Sequence, residues 1–212
     1  MSNAQKSETR VKMNDVRLVF PVLDSPEEYR VGDGKGAYYS LSALFPKNHP
    51  DLPALSAAVR AAAKAKWGEK AEAMLQVAKS KDKLPVHDGD MKASKSYGAE
   101  YAGKLYLSAR NKAPDKPKLF DIFIDPATGL AREVKEAGKF YSGCRVNLIL
   151  NIFGYSRDGG EGVGAGIAAV QFSRDDVRLA GGATASADEF DAVPEQAQKA
   201  AEQSGGGAAA LF

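Results

Sequence analysis

The clearest hydrophobic pattern in the chain lies between residues 145 and 155. Every second residue there is apolar, namely Val146, Leu148, Leu150 and Ile152. This period of two predicts a β-strand with one buried face. The opposite face carries Arg145, Asn147, Ile149, Asn151, Phe153 and Tyr155. A cation, two amides and two aromatic rings on one face favour contact with a polar, aromatic ligand such as nucleotide bases.

A glycine-rich segment follows this strand. Five glycines occur between residues 159 and 166, and a second, shorter apolar strand is predicted at 167–172, before Gly181 and Gly182. A strand, a flexible glycine loop and a second strand are typical of a hairpin in a small barrel. We interpret the glycines as a mobile loop that can close over a ligand.

Four further segments alternate in the same way, at 15–20, 37–45, 104–110 and 118–125. Pro21 is expected to end the first of them. In the third, Leu105, Leu107 and Ala109 are predicted to face the core. Lys104, Tyr106, Ser108 and Arg110 then share the opposite face, as Tyr38, Ser40 and Ser42 do in the second segment.

The hydrophobic period changes to that of helices between residues 51 and 79. Asp51 is the predicted N-cap of a first helix that ends near Trp67, and a second helix is predicted at 69–79. Six short strands with one helical interruption indicate a mainly β (α+β) fold. We predict an OB-like Greek-key β-barrel with the helical segment inserted as a cap.

Composition divides the chain into a basic body and an acidic end. The net charge is +2, but residues 183–212 contain five acidic residues and one lysine, so this tail carries −4 and the first 182 residues carry +6. Such asymmetry is typical of nucleic-acid-binding chains. We expect a flexible N-terminus at 1–10, a folded domain at 11–182 and a flexible acidic tail at 183–212. The tail ends in Leu211 and Phe212, which we interpret as a docking tip for protein partners.

The single cysteine, Cys144, lies within a predicted strand and offers neither a disulfide framework nor zinc-ligand spacing. No membrane-length apolar run and no signal-peptide core are present, which favours a reduced, cytoplasmic setting without membrane contact.

Residues 141–182 resemble the C-terminal hallmark of a family of tailed-phage single-stranded DNA-binding proteins with an OB-type barrel. The resemblance is carried by Tyr-Ser-Gly-Cys at 141–144, by the aromatic and glycine-rich segment 154–163, by the Gly-x-x-x-Val-Gln-Phe segment from 166, and by Leu-x-Gly-Gly at 179–182. It implies sequence-independent binding of single-stranded DNA in phage replication or recombination. The implied partners are single-stranded DNA and, through the tail, replication or recombination proteins. Self-association into a homo-oligomer is a further alternative.

Cations and tyrosines are interleaved between residues 92 and 118, which suits phosphates and stacked bases respectively. The candidate nucleic-acid-binding residues are Tyr38, Lys92, Lys95, Tyr97, Tyr101, Lys104, Tyr106, Arg110, Lys112, Arg145, Asn147, Phe153, Tyr155 and Arg157. For any single tyrosine, cross-strand packing in the sheet is the competing interpretation.

Two other kinds of site remain as alternatives. Residues 164–169 fit the dinucleotide-binding pattern G-x-G-x-x-A, although no helix is predicted to follow. Five residues are candidates for a magnesium-dependent nuclease site: His87, Asp88, Asp90, Asp121 and Asp125. The competing interpretation is a simple turn, because Asp-Gly is a common turn signal. Within the binding class, strand annealing or recombination mediation is the second interpretation. The preferred interpretation needs no catalytic residue, metal or cofactor.

Overall fold

The computed structural model describes residues 8–31, 34–93, 98–135, 137–157 and 160–179. Within these residues eight strands form one sheet: β1 (Arg10–Val31), β2 (Gly34–Pro46), β3 (Val86–Asp88), β4 (Lys104–Lys112), β5 (Lys118–Ile124), β6 (Ala131–Glu133), β7 (Arg145–Arg157) and β8 (Gly160–Arg174). Their order is β3-β4-β2-β1-β7-β8-β5-β6. All neighbours are antiparallel except β5 and β8, which are parallel.

The sheet curls until β4 approaches β8, and one side chain joins the two strands. The Asn111 amide nitrogen donates to the Ile167 carbonyl at 2.7 Å, and the Ile167 N–H donates to the Asn111 amide oxygen at 2.8 Å. The prediction of a mainly β fold with one helical insertion is confirmed, and the sheet is not a closed barrel. We call the line along which β4 meets β8 the seam. Among the described residues the Asn111 side chain bonds across it, and no backbone ladder pairs the two strands.

The core lies inside the curl and follows the predicted alternation. Val146, Leu148 and Leu150 of β7 are completely buried, and Leu107 of β4 is 1% exposed. Burying such a side chain contributes about 1.5–3 kcal/mol relative to its exposed state. The alternation of β7 therefore determines which of its faces remains available to a ligand.

The helical insertion is confirmed as α1 (Leu52–Trp67) and α2 (Ala71–Ser80), joined by a 3-10 turn at Gly68–Lys70. The apolar face of α1 packs on β1 and β7. Asp51 precedes α1 as predicted, but its carboxylate does not cap the helix. It accepts hydrogen bonds from the backbone and the side-chain amide of Asn14 at 2.7 and 2.9 Å, which ties the helix to β1. A short helix α3 (Asp90–Ala93) and a 3-10 turn (Ala99–Tyr101) precede β4.

Two predicted strand boundaries are wrong. β1 continues past Pro21 to Val31, because the register shifts between Val19 and Val22 and lets the strand accommodate the proline. The glycines from 160 to 166 belong to β8 and pair with β7 as far as Arg157. The expected mobile glycine loop is therefore a strand of which every second position lacks a large side chain.

Two short strands, β3 and β6, lie in segments for which the sequence predicted turns and charged loops. Each adds an edge to the sheet. No helix in the described part of the chain is long and apolar enough to cross a membrane.

Candidate nucleic-acid interface

A groove of about 450 Å³ crosses the outer face of the sheet where β2, β4 and the β7–β8 hairpin meet. We call it the main groove. Its floor on β2 and β4 is polar, because Ser42 pairs with Ser108 and Ser40 pairs with Arg110 in the antiparallel ladder. Paired residues share a face, so the outward positions of the two strands form one surface.

Three aromatic side chains line the main groove. Phe153 of β7 is 38% exposed, and its ring lies against Gly164, its cross-strand partner. A Cβ atom at Gly164 would lie 2.9 Å from this ring, so glycine is what allows the ring to rest on the strand. Tyr155 lies two residues farther along β7. Phe20 of β1 is 49% exposed on the opposite wall.

Three cations surround these rings: Lys83, Arg110 and Arg157. The Arg157 guanidinium lies 5.5 Å from the centre of the Tyr155 ring. None of the three pairs with a carboxylate among the described residues. The one acidic lining residue, Asp82, binds His87 Nδ1 at 2.6 Å. The groove thus presents more cations than anions to a ligand.

The structure brings together Arg110, Phe153, Tyr155 and Arg157 of the predicted residues. They come from two distant strands and meet because β4 lies beside β8. Sequence reasoning missed Phe20, whose backbone φ of +45° lies in the left-handed region at the β1 irregularity. An alternation pattern gives no signal for such a residue. It also missed Lys83, which follows α2 and accepts a backbone hydrogen bond from Val163.

Tyr106 lies on the predicted face of β4, but its ring is buried, as the competing interpretation of packing in the sheet predicts. The ring is 7% exposed and stacks on His87 with centroids 4.8 Å apart. Tyr101, 2% exposed, contacts it edge-on, and Lys92 Nζ lies 4.0 Å from its centre. The reason is that the segment before β4 folds back over this end of the strand and covers it.

Other predicted residues have structural contacts. Arg145 bonds to the Asp176 carboxylate at 2.7 Å, and Asn147 bonds to the Gln171 side chain and the Asp15 backbone. Lys104 Nζ donates to the Glu100 carbonyl, and Tyr38 is 9% exposed. Lys112 is exposed beyond the groove and pairs in register with Tyr38. Lys95, Tyr97, Leu211 and Phe212 lie outside the described residues.

The carboxylates considered for metal binding already have cationic or backbone partners. Asp88 and Asp90 both bind Lys47 Nζ, at 3.0 and 2.8 Å, and this hydrogen bond holds the pKa of Asp90 below its usual value. The Asp125 carboxylate accepts the Ala127 N–H in a turn. Among the described residues no three His, Cys, Asp or Glu side chains converge as metal ligands.

Asp121 is the most strongly held of these carboxylates, with only 1% exposure. Lys139 and Arg132 donate to it at 2.7 and 3.0 Å, and the Lys139 hydrogen bond is the main cause that lowers its pKa to about 2. The dinucleotide alternative is also wrong, because residues 164–169 lie inside β8 and no helix follows them in the described chain.

Comparison with known proteins identifies the family of this chain. The model of the family described as Enterobacter phage Enc34, ssDNA-binding protein, matches residues 9–202. A protein of Acyrthosiphon pisum secondary endosymbiont phage 1, named putative protein p50, is 37% identical over 186 residues. The matched region covers 86% of this chain and 92% of that protein.

Solved structures show the same fold. The single-stranded DNA-binding protein of bacteriophage Enc34, solved in complex with single-stranded DNA, has a TM-score of 0.57 at 24% identity and covers 82% of this chain and 91% of its own. Gp2.5 of bacteriophage T7, titled a single-stranded DNA-binding protein, has a TM-score of 0.50 at 14% identity, covering 86% and 94%. The resemblance found at residues 141–182 is confirmed: this chain belongs to the family of the Enterobacter phage Enc34 single-stranded DNA-binding protein.

Proposed function

We propose that this protein binds single-stranded DNA without sequence preference in the main groove and acts in phage DNA replication or recombination in the host cytoplasm. The observation that carries the proposal is the convergence of Phe153, Tyr155, Arg110 and Arg157 on one open surface. Family membership supports the same ligand.

Aromatic and cationic side chains in the groove bind different parts of the strand. Phe153 and Tyr155 offer rings on which unpaired bases stack, at about 1–3 kcal/mol per base. Lys83, Arg110 and Arg157 attract phosphates, and each neutralised phosphate releases counterions. Every base has a π-face, so a groove built in this way tolerates any sequence. The serines on β2 and β4 add hydroxyl partners for the phosphates or base edges.

A titration of fluorescent oligonucleotides at two salt concentrations tests this proposal. We expect single strands to bind much more tightly than the matching duplex, because a duplex hides the base faces on which stacking depends. If all three cations neutralise phosphates, the logarithm of the affinity should fall with the logarithm of the salt concentration with a slope near 2. Equal affinity for duplex, or binding that is independent of salt, would overturn the proposal.

Arg110→Ala provides the matched test within the groove. It should weaken binding and reduce the salt slope by about 0.7. Lys70→Ala is the control, because Lys70 lies on the exposed turn between α1 and α2, away from the groove. A Lys70→Ala variant that loses as much affinity as Arg110→Ala would show that net charge, not the groove, controls binding.

We propose binding without strand cleavage, against the nuclease alternative. The support is that the candidate carboxylates Asp88, Asp90 and Asp121 are occupied by Lys47, Lys139 and Arg132. Incubation of an end-labelled oligonucleotide with the protein and Mg²⁺ should leave its length unchanged. Magnesium-dependent shortening that co-purifies with the protein and disappears in Asp121→Asn would restore the enzymatic alternative.

A further inference from the structure

A second groove of about 350 Å³ lies on the same outer face, between β1, β7, β8 and the β5–β6 hairpin. Its walls are Phe120, Ile149 and Leu130, and Leu130 is 70% exposed. Asn147 and Gln171 lie in its floor, and Lys12 lies at its rim. We call it the second groove; it shares no lining residue with the main groove.

The register of the strands joins the two grooves. Phe153, Asn151 and Ile149 are alternate residues of β7, so all three point to the outer face. Phe153 belongs to the main groove and Ile149 to the second. Four residues separate them, which corresponds to about 13 Å along the strand.

Between the grooves β8 itself contributes no large side chain to the outer face. On β8 the partners of Phe153, Asn151 and Ile149 are Gly164, Gly166 and Ala169. A continuous polynucleotide crossing this surface therefore meets no large side chain on β8.

Cations flank the same path on both sides. Lys12 and Arg10 of β1 pair in register with Ile149 and Asn151, and both are exposed. On the other side Lys118 of β5 pairs with Ala169 and is 66% exposed. The one carboxylate that approaches these cations among the described residues is Glu133, 3.9 Å from Lys118 Nζ. The path thus combines cations with apolar surface, as the main groove does.

We infer that a single strand bound in the main groove continues along the outer face of β7 and β8 and enters the second groove. There a base packs against Phe120, Ile149 and Leu130, and Lys12 neutralises a phosphate. This inference rests on the proposed function and adds the direction and extent of the bound strand. Single OB folds occupy roughly 4–16 nucleotides, which leaves room for one strand to contact both grooves.

Oligonucleotide length separates the two grooves in an experiment. We expect a strand of about four nucleotides, the lower end of the range for one OB fold, to occupy the main groove alone and one of about sixteen to reach both. Lys12→Glu should weaken binding of the longer strand about tenfold, with a smaller salt slope, and change binding of the shorter one less than about twofold. Lys70→Glu is the control, since it changes the net charge equally on an exposed turn outside both grooves.

Three outcomes overturn the inference: Lys12→Glu affects both lengths equally, affects neither, or affects the longer strand no more than Lys70→Glu does. Failure of the proposed function looks different, because then the unmodified protein binds neither length. Melting curves confirm that Lys12→Glu is folded.

Amine footprinting on the unmodified protein gives a second measurement that needs no variant. A lysine-acylating reagent should modify Lys12 freely in the free protein and with the short strand bound. The longer strand should protect Lys12 while leaving Lys70 reactive. Unchanged reactivity of Lys12 with the longer strand bound would contradict the inference even if the variants behaved as expected.

Discussion

Phe153 and Leu148 lie on opposite faces of β7, so substitutions at the two positions should separate binding from stability. Phe153 is 38% exposed, whereas Leu148 is completely buried. Phe153→Ala should weaken oligonucleotide binding by about 1–3 kcal/mol with an almost unchanged melting temperature. Leu148→Ala should cost about 2–5 kcal/mol of stability. Melting and binding of both variants test the assignment, and the opposite result would mean that the faces of β7 are reversed.

Tyr106 serves as an internal comparison, because it is also an aromatic residue on a nominally outward position. Its ring is covered by His87, Tyr101 and Lys92. We therefore expect Tyr106→Ala to reduce the free energy of unfolding by about 3–5 kcal/mol, as for other buried aromatic residues. The melting temperature should fall accordingly. A variant that melts normally but binds DNA poorly would show that Tyr106 contacts DNA.

Asp121 predicts a pH dependence of stability. Its folded pKa of about 2 is below the ordinary value of 3.8, because Lys139 and Arg132 donate to the ionised carboxylate. The ionised form therefore stabilises the fold fully above about pH 4, and this contribution is lost as the pH falls toward 2.

At pH 7, Asp121→Asn should reduce the free energy of unfolding by on the order of 1–3 kcal/mol and lower the melting temperature. The difference from the unmodified protein should shrink on acidification from pH 4 to pH 2. Asp24→Asn is the matched control, because Asp24 is exposed and makes only a surface pair with Lys116. A constant difference down to pH 2 would contradict the assignment.

At the scale of single residues, the sequence predicted which face a side chain occupies better than whether that face is free. The alternation placed both Phe153 and Tyr106 correctly. It could not show that residues before β4 would cover Tyr106, since that contact depends on tertiary folding. Likewise, Arg145 met the chemical criterion for phosphate binding, but Asp176, thirty-one residues away, occupies its guanidinium.

At the scale of elements, the seam between β4 and β8 holds the main groove together. Arg110 reaches the groove from β4, and Phe153 and Tyr155 reach it from the hairpin. The Asn111 side chain makes two hydrogen bonds across this seam. The Asn111 amide therefore helps to fix the spacing of the two walls.

Asn111→Ala should lower stability by about 1–3 kcal/mol, because it leaves the Ile167 backbone groups without their partner. It should also weaken oligonucleotide binding, since the two walls are no longer fixed at one spacing. Asn48→Ala, at an exposed position before α1, is the control. Melting and titration of both variants provide the test; Asn111→Ala with unchanged melting would show that the seam is held by other contacts.

The elements themselves were largely predictable, because a half-buried strand and an amphipathic helix each have a distinct hydrophobic period. The helices at 51–79 and the six long strands were found in this way. The glycine-rich half of β8 was not, because glycine is a turn signal in isolation. Its strand conformation comes from pairing with β7 across the hairpin, at seven registered positions from Arg157 opposite Gly160 to Asn151 opposite Gly166. The short strands β3 and β6 have too few residues to show a period.

At the scale of the whole molecule, charge is divided between the body and the tail. Residues 1–182 carry +6 and residues 183–212 carry −4. We propose the domain boundary near Gly182 and a flexible, acidic tail beyond it, based on this charge division and on the small, polar composition of the tail. On this proposal the anionic tail competes with DNA phosphates for the cations of the groove, and salt screens the competition beyond about 8–10 Å.

Truncation after Gly182 tests this division. We expect the shortened protein to melt at nearly the same temperature and to bind single strands at least as tightly as the full chain. Any gain in affinity should be largest at low salt and should shrink as salt rises, because screening removes the competition of the tail. A matched control keeps the tail but replaces Asp188, Glu189, Asp191, Glu195 and Glu202 by the corresponding amides; it should reproduce the gain. If truncation increases affinity and the amide variant does not, the tail competes by occupying space and not by charge. If the truncated protein unfolds, the tail is part of the folded domain and the boundary at Gly182 is wrong.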